Sequence, residues 1–217
     1  QPGDGPGLSL CLYGPPGTGK TQIVHYLAHR MGRPVIEHRV SDLLSKWVGD
    51  TEQRIAAAFT QAEADDAVLL FDEADTFLRD RRRAAAGWER SQTNELLQQL
   101  ERFRGVVAVT TNLREELDAA SLRRFILKLE FRALSTAQAL RLFHASLAPH
   151  LAAPLRRAEE TLVAEALSEL DALTPGDFAA VSRRCAALRL RCTPAELVKA
   201  LEAELAVKPG ARRAAGF

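Results

Sequence analysis

The feature that most constrains the fold is the segment Gly-Pro-Pro-Gly-Thr-Gly-Lys-Thr at positions 14–21. It has the spacing G-x-x-x-x-G-K-[S/T], in which backbone N–H groups surround a phosphate and a lysine neutralises it. The apolar residues at 8–13 are typical of a buried strand, and those at 21–31 have the spacing of a helix. This strand–loop–helix context predicts a nucleotide-binding P-loop rather than a glycine-rich turn that happens to precede a lysine.

Each part of this loop has an expected role. The glycines allow the backbone to turn around an oxyanion, and the helix that follows directs its positive end at the phosphates. We expect the Lys20 ammonium to contact the β- and γ-phosphates and the Thr21 hydroxyl to bind Mg²⁺. The predicted nucleotide-binding residues of the loop are Pro15, Pro16, Gly17, Thr18, Gly19, Lys20 and Thr21.

A later apolar stretch, residues 68–71, leads directly into two acidic residues, Asp72 and Glu73. Asp72 at the tip of a buried strand would hold Mg²⁺ directly or through water, and Glu73 would act as the general base on the attacking water. The alternative is an ordinary acidic turn after a strand. The presence of the P-loop favours the catalytic interpretation, while Asp75 is interpreted as structural.

The order of the predicted elements indicates two domains. Strand and helix patterns alternate up to residue 132, which predicts a parallel sheet with helices on both faces. Residues 133–208 show only helical patterns and are expected to form a small domain, with helices at 137–147 and 161–170 and capping-box signals at Thr174 and Thr193. Residues 209–217 are interpreted as a tail.

Composition excludes some classes of function. The formal net charge of +1 does not call for a polyanionic partner, and no apolar stretch approaches the length of a membrane span. Three cysteines without a C-x-x-C pair argue against a metal or redox motif and fit a reducing, cytoplasmic location. The preference for Arg over Lys and the abundance of Ala indicate a GC-rich genome, so we expect a bacterial source.

Segment 14–21, together with Leu-Leu-Phe-Asp-Glu-Ala-Asp at 69–75, resembles the AAA family of ATPases, the group that includes katanin, spastin and the membrane protease of cell division. The resemblance extends from residue 8 to about residue 205. It implies an α/β P-loop NTPase fold with a five-stranded parallel sheet of order 5-1-4-3-2 and a helical lid. ATP and Mg²⁺ are the implied cofactors. Because the family has further residues before the loop that contribute to the adenine pocket, we expect domain 1–132 to be truncated at its N-terminus.

The resemblance also implies roles for three residues outside these two segments. Asn112, which follows the predicted strand 106–110, matches the position that hydrogen-bonds the γ-phosphate or the attacking water. Arg123 and Arg124 match the arginine fingers that reach the nucleotide of a neighbouring subunit. The family pattern is shortened here, so which arginine is the principal finger is left open. The structural alternative is a solvated pair before a strand.

The segment Lys46-Trp47-Val48 before Gly49 is similar to the pore loop of AAA translocases. An exposed aromatic residue next to a glycine hinge would grip an extended polypeptide through contacts that many side chains tolerate. The alternative is that Trp47 packs into the core.

The leading hypothesis is therefore ATP hydrolysis by a homo-oligomeric ring, expected to be a hexamer, coupled to remodelling, unfolding or translocation of a polypeptide substrate. A second hypothesis is an ATP-gated assembly switch or scaffold that moves no polypeptide. A nucleic-acid motor is the third, and it depends on the arginine-rich residues 79–83, for which a solvated or inter-subunit loop is the preferred interpretation.

Overall fold

The computed structural model describes residues 7–45, 47, 49–78, 87–113 and 117–208, with the backbone only for 87–90. The strands are β1 (Leu8–Tyr13), β2 (Val35–Arg39), β3 (Val68–Asp72), β4 (Val106–Thr111) and β5 (Leu127–Glu130). The helices are α1 (Lys20–Met31), α2 (Val40–Leu43), α3 (Asp50–Ala64), α4 (Asp75–Leu78), α5 (Gly87–Arg102), α6 (Ala119–Leu122), α7 (Thr136–Leu142), α8 (Arg157–Ser168), α9 (Pro175–Ala187) and α10 (Pro194–Ala206). None of the described helices is long and apolar enough to cross a membrane.

The five strands form one parallel sheet in the order β2-β3-β4-β1-β5. Read from the opposite edge, this is the predicted order 5-1-4-3-2, and the α/β prediction is confirmed. Residues 68–71 of β3 are all buried because helices cover both faces of a parallel sheet. The order places β1 next to β4 and β4 next to β3, so the chain segments that follow these three strands meet at one edge.

Of the residues that the structure describes, the first compact unit comprises those in 7–15 and in 19–131. On one sheet face, Phe59 of α3 lies 5.5 Å from the ring of Phe71 and 5.2 Å from that of Phe103. On the other face, Val24 and Ala28 of α1 pack in a cluster with residues of β1, β3 and β4. Two apolar clusters therefore hold the sheet from opposite sides.

The second unit comprises Pro16–Thr18 together with the described residues 132–208. Its core is built from α7 to α10, with Phe143, Phe178 and Leu197 fully buried. Both predicted capping signals are present among the described residues. The Asp177 carboxylate accepts a 2.7 Å hydrogen bond from Thr174 N, and Glu196 accepts the equivalent bond from Thr193 N at 2.7 Å.

Several local elements differ from the expectation. The single helix predicted at 137–147 is α-helical only through Leu142; a π-helix, Phe143–Leu147, and a 3₁₀ turn, Ala148–His150, follow. Pro149 has no N–H to donate to an earlier carbonyl, so an α-helix cannot continue through it. The predicted tail, 209–217, lies outside the described residues.

Candidate nucleotide-binding site

The candidate site lies where β1, β3 and β4 end. Tyr13, the last residue of β1, pairs with Thr111, the last residue of β4, and β3 ends beside them at Asp72. The carboxyl ends of parallel strands are where open α/β sheets bind their ligands. The register therefore brings the P-loop, the acidic strand tip and the residues after β4 to a common edge.

The backbone of the P-loop depends on glycine at two positions. Gly14 has φ +136°, and a Cβ there would lie 2.0 Å from the carbonyl oxygen of Phe131. Gly19 is the left-handed N-cap of α1, with φ +93°, a conformation that side chains disfavour. Because the first N–H groups of a helix have no partner within it, α1 begins with donors available to an anion. Of the remaining loop residues, Pro15, Pro16 and Gly17 are exposed and Thr18 is buried.

Lys20 is the buried cation of the site. Only 6% of the residue is exposed, and its Nζ donates to Gly14 O at 2.8 Å, Pro15 O at 2.9 Å and Asn112 Oδ1 at 2.9 Å. Burial lowers the pKa of Lys20, and the nearby carboxylates of Asp72 and Asp75 oppose that shift. The structure thus holds an ammonium group among oxygen acceptors and joins two predicted site residues, Lys20 and Asn112.

The Asp72 carboxylate is the second centre of the site. Its Oδ1 accepts a hydrogen bond from Thr21 Oγ1 at 3.0 Å and another from Thr110 Oγ1. The predicted pair Thr21 and Asp72 is therefore brought into direct contact. Thr110 was not among the predicted residues, although it is the penultimate residue of β4 and lies directly beside the acidic strand tip.

Asp75 organises the residues after β4. Its Oδ1 accepts from Thr111 Oγ1 at 2.6 Å and from the backbone N–H of Asn112 at 2.9 Å. The Thr111 hydroxyl in turn accepts from Leu113 N at 3.1 Å. Asp75 therefore fixes the backbone that carries the Asn112 side chain toward Lys20.

Glu73 occupies an unusual backbone position. Its φ is +57°, a left-handed conformation that is rare for residues other than glycine, and its side chain is exposed. Its N–H donates to Thr110 Oγ1 at 3.2 Å, which holds the turn in place. Backbone strain of this kind is concentrated at functional sites, where the surrounding structure maintains it.

The two candidate arginine fingers differ in their surroundings. Asp118 caps the short helix before them by accepting from Ser121 N at 3.1 Å, and Phe125 after them is buried in the first unit. Arg124 forms an ion pair with Glu101 of the same chain. Arg123 is exposed, and its side chain forms no hydrogen bond or ion pair with any residue that the structure describes.

Trp47 is 79% exposed, which excludes the alternative that it packs into the core of this chain. The backbone around it is ordered by hydrogen bonds from Trp47 N to Ser45 Oγ at 3.3 Å and from Asp50 N to Trp47 O at 3.4 Å. Lys46 and Val48, the other predicted pore-loop residues, lie outside the described residues, as do the arginines at 79–83.

Residues 10–133 match the model of the ATPase family associated with various cellular activities, AAA. The chain belongs to the AAA family of ATPases. This membership confirms the predicted family and the predicted enzyme class, an ATP-hydrolysing P-loop protein of AAA type.

Similar AAA proteins include animal representatives. Fidgetin-like protein 1 of Xenopus laevis is 36% identical over 132 residues, which are 58% of this chain and 20% of that protein. Spastin of Drosophila mojavensis is 30% identical over 209 residues, 91% of this chain and 26% of that protein. The chain thus spans about a quarter or less of these relatives. The expected bacterial source is not borne out, and a preference for Arg and Ala does not by itself identify a lineage.

A solved structure has the same fold. The crystal structure of the FIGL-1 AAA domain in complex with ADP has a TM-score of 0.70 with this chain, at 24% sequence identity. The superposition covers 93% of this chain and 72% of that one. The likeness supports the sheet order and the P-loop NTPase fold described above.

Proposed function

We propose that this AAA module hydrolyses ATP at subunit boundaries of a homo-oligomeric ring, a hexamer, and uses the energy to remodel or translocate polypeptides. The observation that carries the proposal is the hydrogen-bonded set at the strand ends, in which Lys20 contacts Asn112 and Thr21 contacts Asp72. These contacts connect the residues proposed to bind phosphate with those proposed to coordinate Mg²⁺ and to position the attacking water.

Phosphate binding would rest on the P-loop amides and on Lys20. The Lys20 ammonium already donates to carbonyl and amide oxygens at 2.8–2.9 Å. Phosphate oxygens can replace these oxygen acceptors when nucleotide binds. Charge-assisted bonds of this kind are about twice as strong as neutral ones. Asn112 contacts Lys20 directly and is therefore suited to contact the terminal phosphate or the attacking water beside it.

The residues present fit Mg²⁺. Two neighbouring oxygen ligands of an octahedral Mg²⁺ lie about 3 Å apart, and Thr21 Oγ1 and Asp72 Oδ1 are 3.0 Å apart. Thr21 and Asp72 would hold the ion, which when bound would neutralise charge on the phosphates. Thr110 would keep the Asp72 carboxylate in position.

Glu73 is the proposed general base. Its carboxylate follows the metal-binding Asp72 and projects from a strained turn whose N–H is held by Thr110. A general base must reach the water it activates, and strain that fixes its direction favours this. The exposed side chain has room to reorient when nucleotide binds.

Arg123 is the proposed principal finger. An arginine finger must extend from its own subunit to the nucleotide of the neighbouring one. The Arg124 guanidinium is instead paired with Glu101 of its own chain. Arg123 is exposed and has no such partner among the described residues. We assign Arg124 a supporting role in orienting the segment.

Trp47 is the proposed polypeptide contact. Trp47 is 79% exposed, and Gly49, with φ +85°, is the N-cap residue of α3. Rigid aromatic side chains provide a large contact area at low entropic cost. Lys46 and Val48 are proposed to flank it.

A mixing experiment tests the shared site. A Glu73→Gln subunit offers an intact Arg123 but no base, and an Arg123→Ala subunit offers an intact base but no finger. We expect each variant alone to be nearly inactive. A 1:1 mixture should recover ATPase activity at up to about a quarter of its boundaries, because random assembly pairs an intact base with an intact finger at that frequency.

The same samples are followed by sedimentation velocity. Mixed assemblies without recovered activity would contradict the shared site. Arg124→Ala is the matched control: if that variant loses more activity than Arg123→Ala, the assignment of the principal finger is wrong.

A further inference from the structure

The outer part of the P-loop, Pro16–Thr18, belongs to the same compact unit as the helices α7 to α10. Within this unit, the Gly176 N–H in the first turn of α9 donates to Gly17 O at 2.8 Å. The two residues are closely packed, because a Cβ at Gly176 would lie 2.9 Å from Gly17 Cα. A predicted nucleotide-binding residue is therefore held by the start of a helix to which the proposed ATPase cycle gives no role.

The start of α9 is fixed by a buried carboxylate. Asp177 is 6% exposed, and its Oδ2 accepts hydrogen bonds from Thr174 N at 2.7 Å and from Thr174 Oγ1 at 3.0 Å. The same hydroxyl borders the P-loop, since a Cβ at Gly17 would lie 2.9 Å from Thr174 Oγ1. The Asp177 carboxylate is thus separated from the P-loop by a single threonine side chain.

Lys208, two residues after the end of α10, neutralises this carboxylate. Its Nζ donates to Asp177 Oδ2 at 2.6 Å, to Ala172 O at 3.0 Å and to Thr174 Oγ1 at 3.4 Å. The side chain of Lys208 is 25% exposed and that of Asp177 is 8% exposed. Because the pair is largely shielded from water, salt screens its charges much less than those of a surface pair. Lys208 therefore neutralises Asp177 and ties the chain before α9 to the end of α10.

We propose that Lys208 is a positioning residue for nucleotide binding, an inference that rests on the phosphate-binding role proposed for the P-loop. Lys208 holds Asp177 and Thr174, and thereby keeps the first turn of α9 against Gly17. Without its ammonium, the Asp177 carboxylate would be an uncompensated negative charge close to the loop that receives the phosphates. Thr174 would also lose one of the contacts that fix it beside Gly17. Both effects lower the affinity of the P-loop for an anionic ligand.

A purely structural role for Lys208 makes a different prediction. If the ion pair only anchored the end of α10, its loss would lower Tm but would leave the ADP affinity of the folded chain unchanged. A positioning role lowers that affinity even at temperatures where the variant is fully folded. ADP binding therefore distinguishes the two roles, and Tm alone does not.

The test is isothermal titration calorimetry of the full chain with ADP, at a temperature well below the Tm of every variant. Lys208→Met should weaken ADP binding about three- to tenfold, the effect that one charge near a helix terminus typically has. Lys208→Arg keeps the charge and should bind within about twofold of wild type. Lys199→Met is the matched control, because it removes the same charge from an exposed lysine of α10, and it should leave the affinity unchanged.

A double variant separates the effect of charge from a general loss of stability. Lys208→Met combined with Asp177→Asn removes both charges of the pair and keeps an oxygen that can accept from Thr174 N. It should bind ADP more tightly than Lys208→Met alone. Amide hydrogen exchange without nucleotide gives a second measurement. In Lys208→Met, the exchange of the Gly176 N–H should accelerate more than that of Leu201, which is fully buried in the core of the same unit.

An ADP affinity of Lys208→Met equal to that of wild type would overturn the inference, as would equal losses in Lys208→Met and Lys199→Met. A double variant that binds ADP no better than Lys208→Met would also overturn it. Wild type that binds no ADP would instead contradict the phosphate-binding role of the P-loop, and the inference with it.

Discussion

Lys20→Met should separate nucleotide binding from folding. Met has a similar length and keeps the apolar stem but removes the ammonium. An ammonium about 4 Å from one phosphate charge contributes about 4 kcal/mol at an effective dielectric constant of about 20. Even about 3 kcal/mol corresponds to a more than 100-fold loss of ADP affinity.

The free protein should lose little stability. The three hydrogen bonds of Lys20 contribute about 1 kcal/mol each. They are offset by the desolvation of a buried cation, which costs several kcal/mol. The two contributions nearly cancel, so we expect Tm without nucleotide to change by no more than about 2–4 °C.

The pH dependence follows from the pKa shift. Because burial lowers the pKa of Lys20 in the folded state, the unfolded chain binds this proton more tightly. The resulting destabilisation is complete below the folded-state pKa and disappears as pH rises toward the ordinary value of 10.5. The stability of wild type should therefore rise relative to Lys20→Met across that range.

Isothermal titration calorimetry with ADP and thermal unfolding without nucleotide provide the two measurements. Lys128→Met is the matched control, because it removes the same charge from an exposed lysine of the same unit. Affinity that stays within tenfold of wild type would refute the phosphate-binding role of Lys20. A large drop in the Tm of Lys20→Met without nucleotide would show that the hydrogen bonds of Lys20 outweigh the desolvation of its ammonium.

Three further outcomes test the remaining assignments. Glu73→Gln should bind ATP but lower the single-turnover hydrolysis rate at least ~100-fold, because the amide cannot accept a proton; near-normal turnover would exclude Glu73 as the base. Asp75→Ala should lower kcat roughly tenfold, with a smaller change in KM, because Asn112 loses the carboxylate that fixes its backbone; unchanged kcat would leave Asp75 with a purely structural role. Trp47→Ala should abolish the stimulation of ATPase activity by unfolded casein while ADP affinity is retained. Leu162→Ala, which truncates another exposed apolar residue, should not affect this stimulation; equal loss in both variants would argue against a pore loop.

The sequence predicted those elements whose signals are local. Strand β3 is a continuous apolar stretch, α1 follows directly from the P-loop glycines, and the threonines before α9 and α10 mark their starts. Helix α8 was predicted to begin at 161 but begins at Arg157. Arg156 is an unusual N-cap residue, and the Glu159 carboxylate that accepts from its N–H at 2.8 Å is recognisable only in the folded chain.

Within the site, the residue types were predictable but their supporting contacts were not. A threonine at the end of a strand is common, so nothing in the sequence distinguishes Thr110 as a partner of Asp72. That role depends on the register of β3 against β4, in which Phe71 pairs with Val109. Likewise, Asp75 contacts Thr111 and Asn112, which lie 36 and 37 positions further along the chain, only because the chain returns to the same sheet edge.

The glycines of the first compact unit should differ in how well they tolerate substitution. A Cβ at Gly14 would lie 2.0 Å from the main-chain oxygen of Phe131, so no other residue can replace this glycine. At Gly32, where φ is +68° and nothing lies within 4 Å, asparagine can adopt the same backbone. Gly32, at the end of α1, should therefore tolerate substitution both in natural homologues and in libraries designed for thermostability. Gly14, before α1, should not.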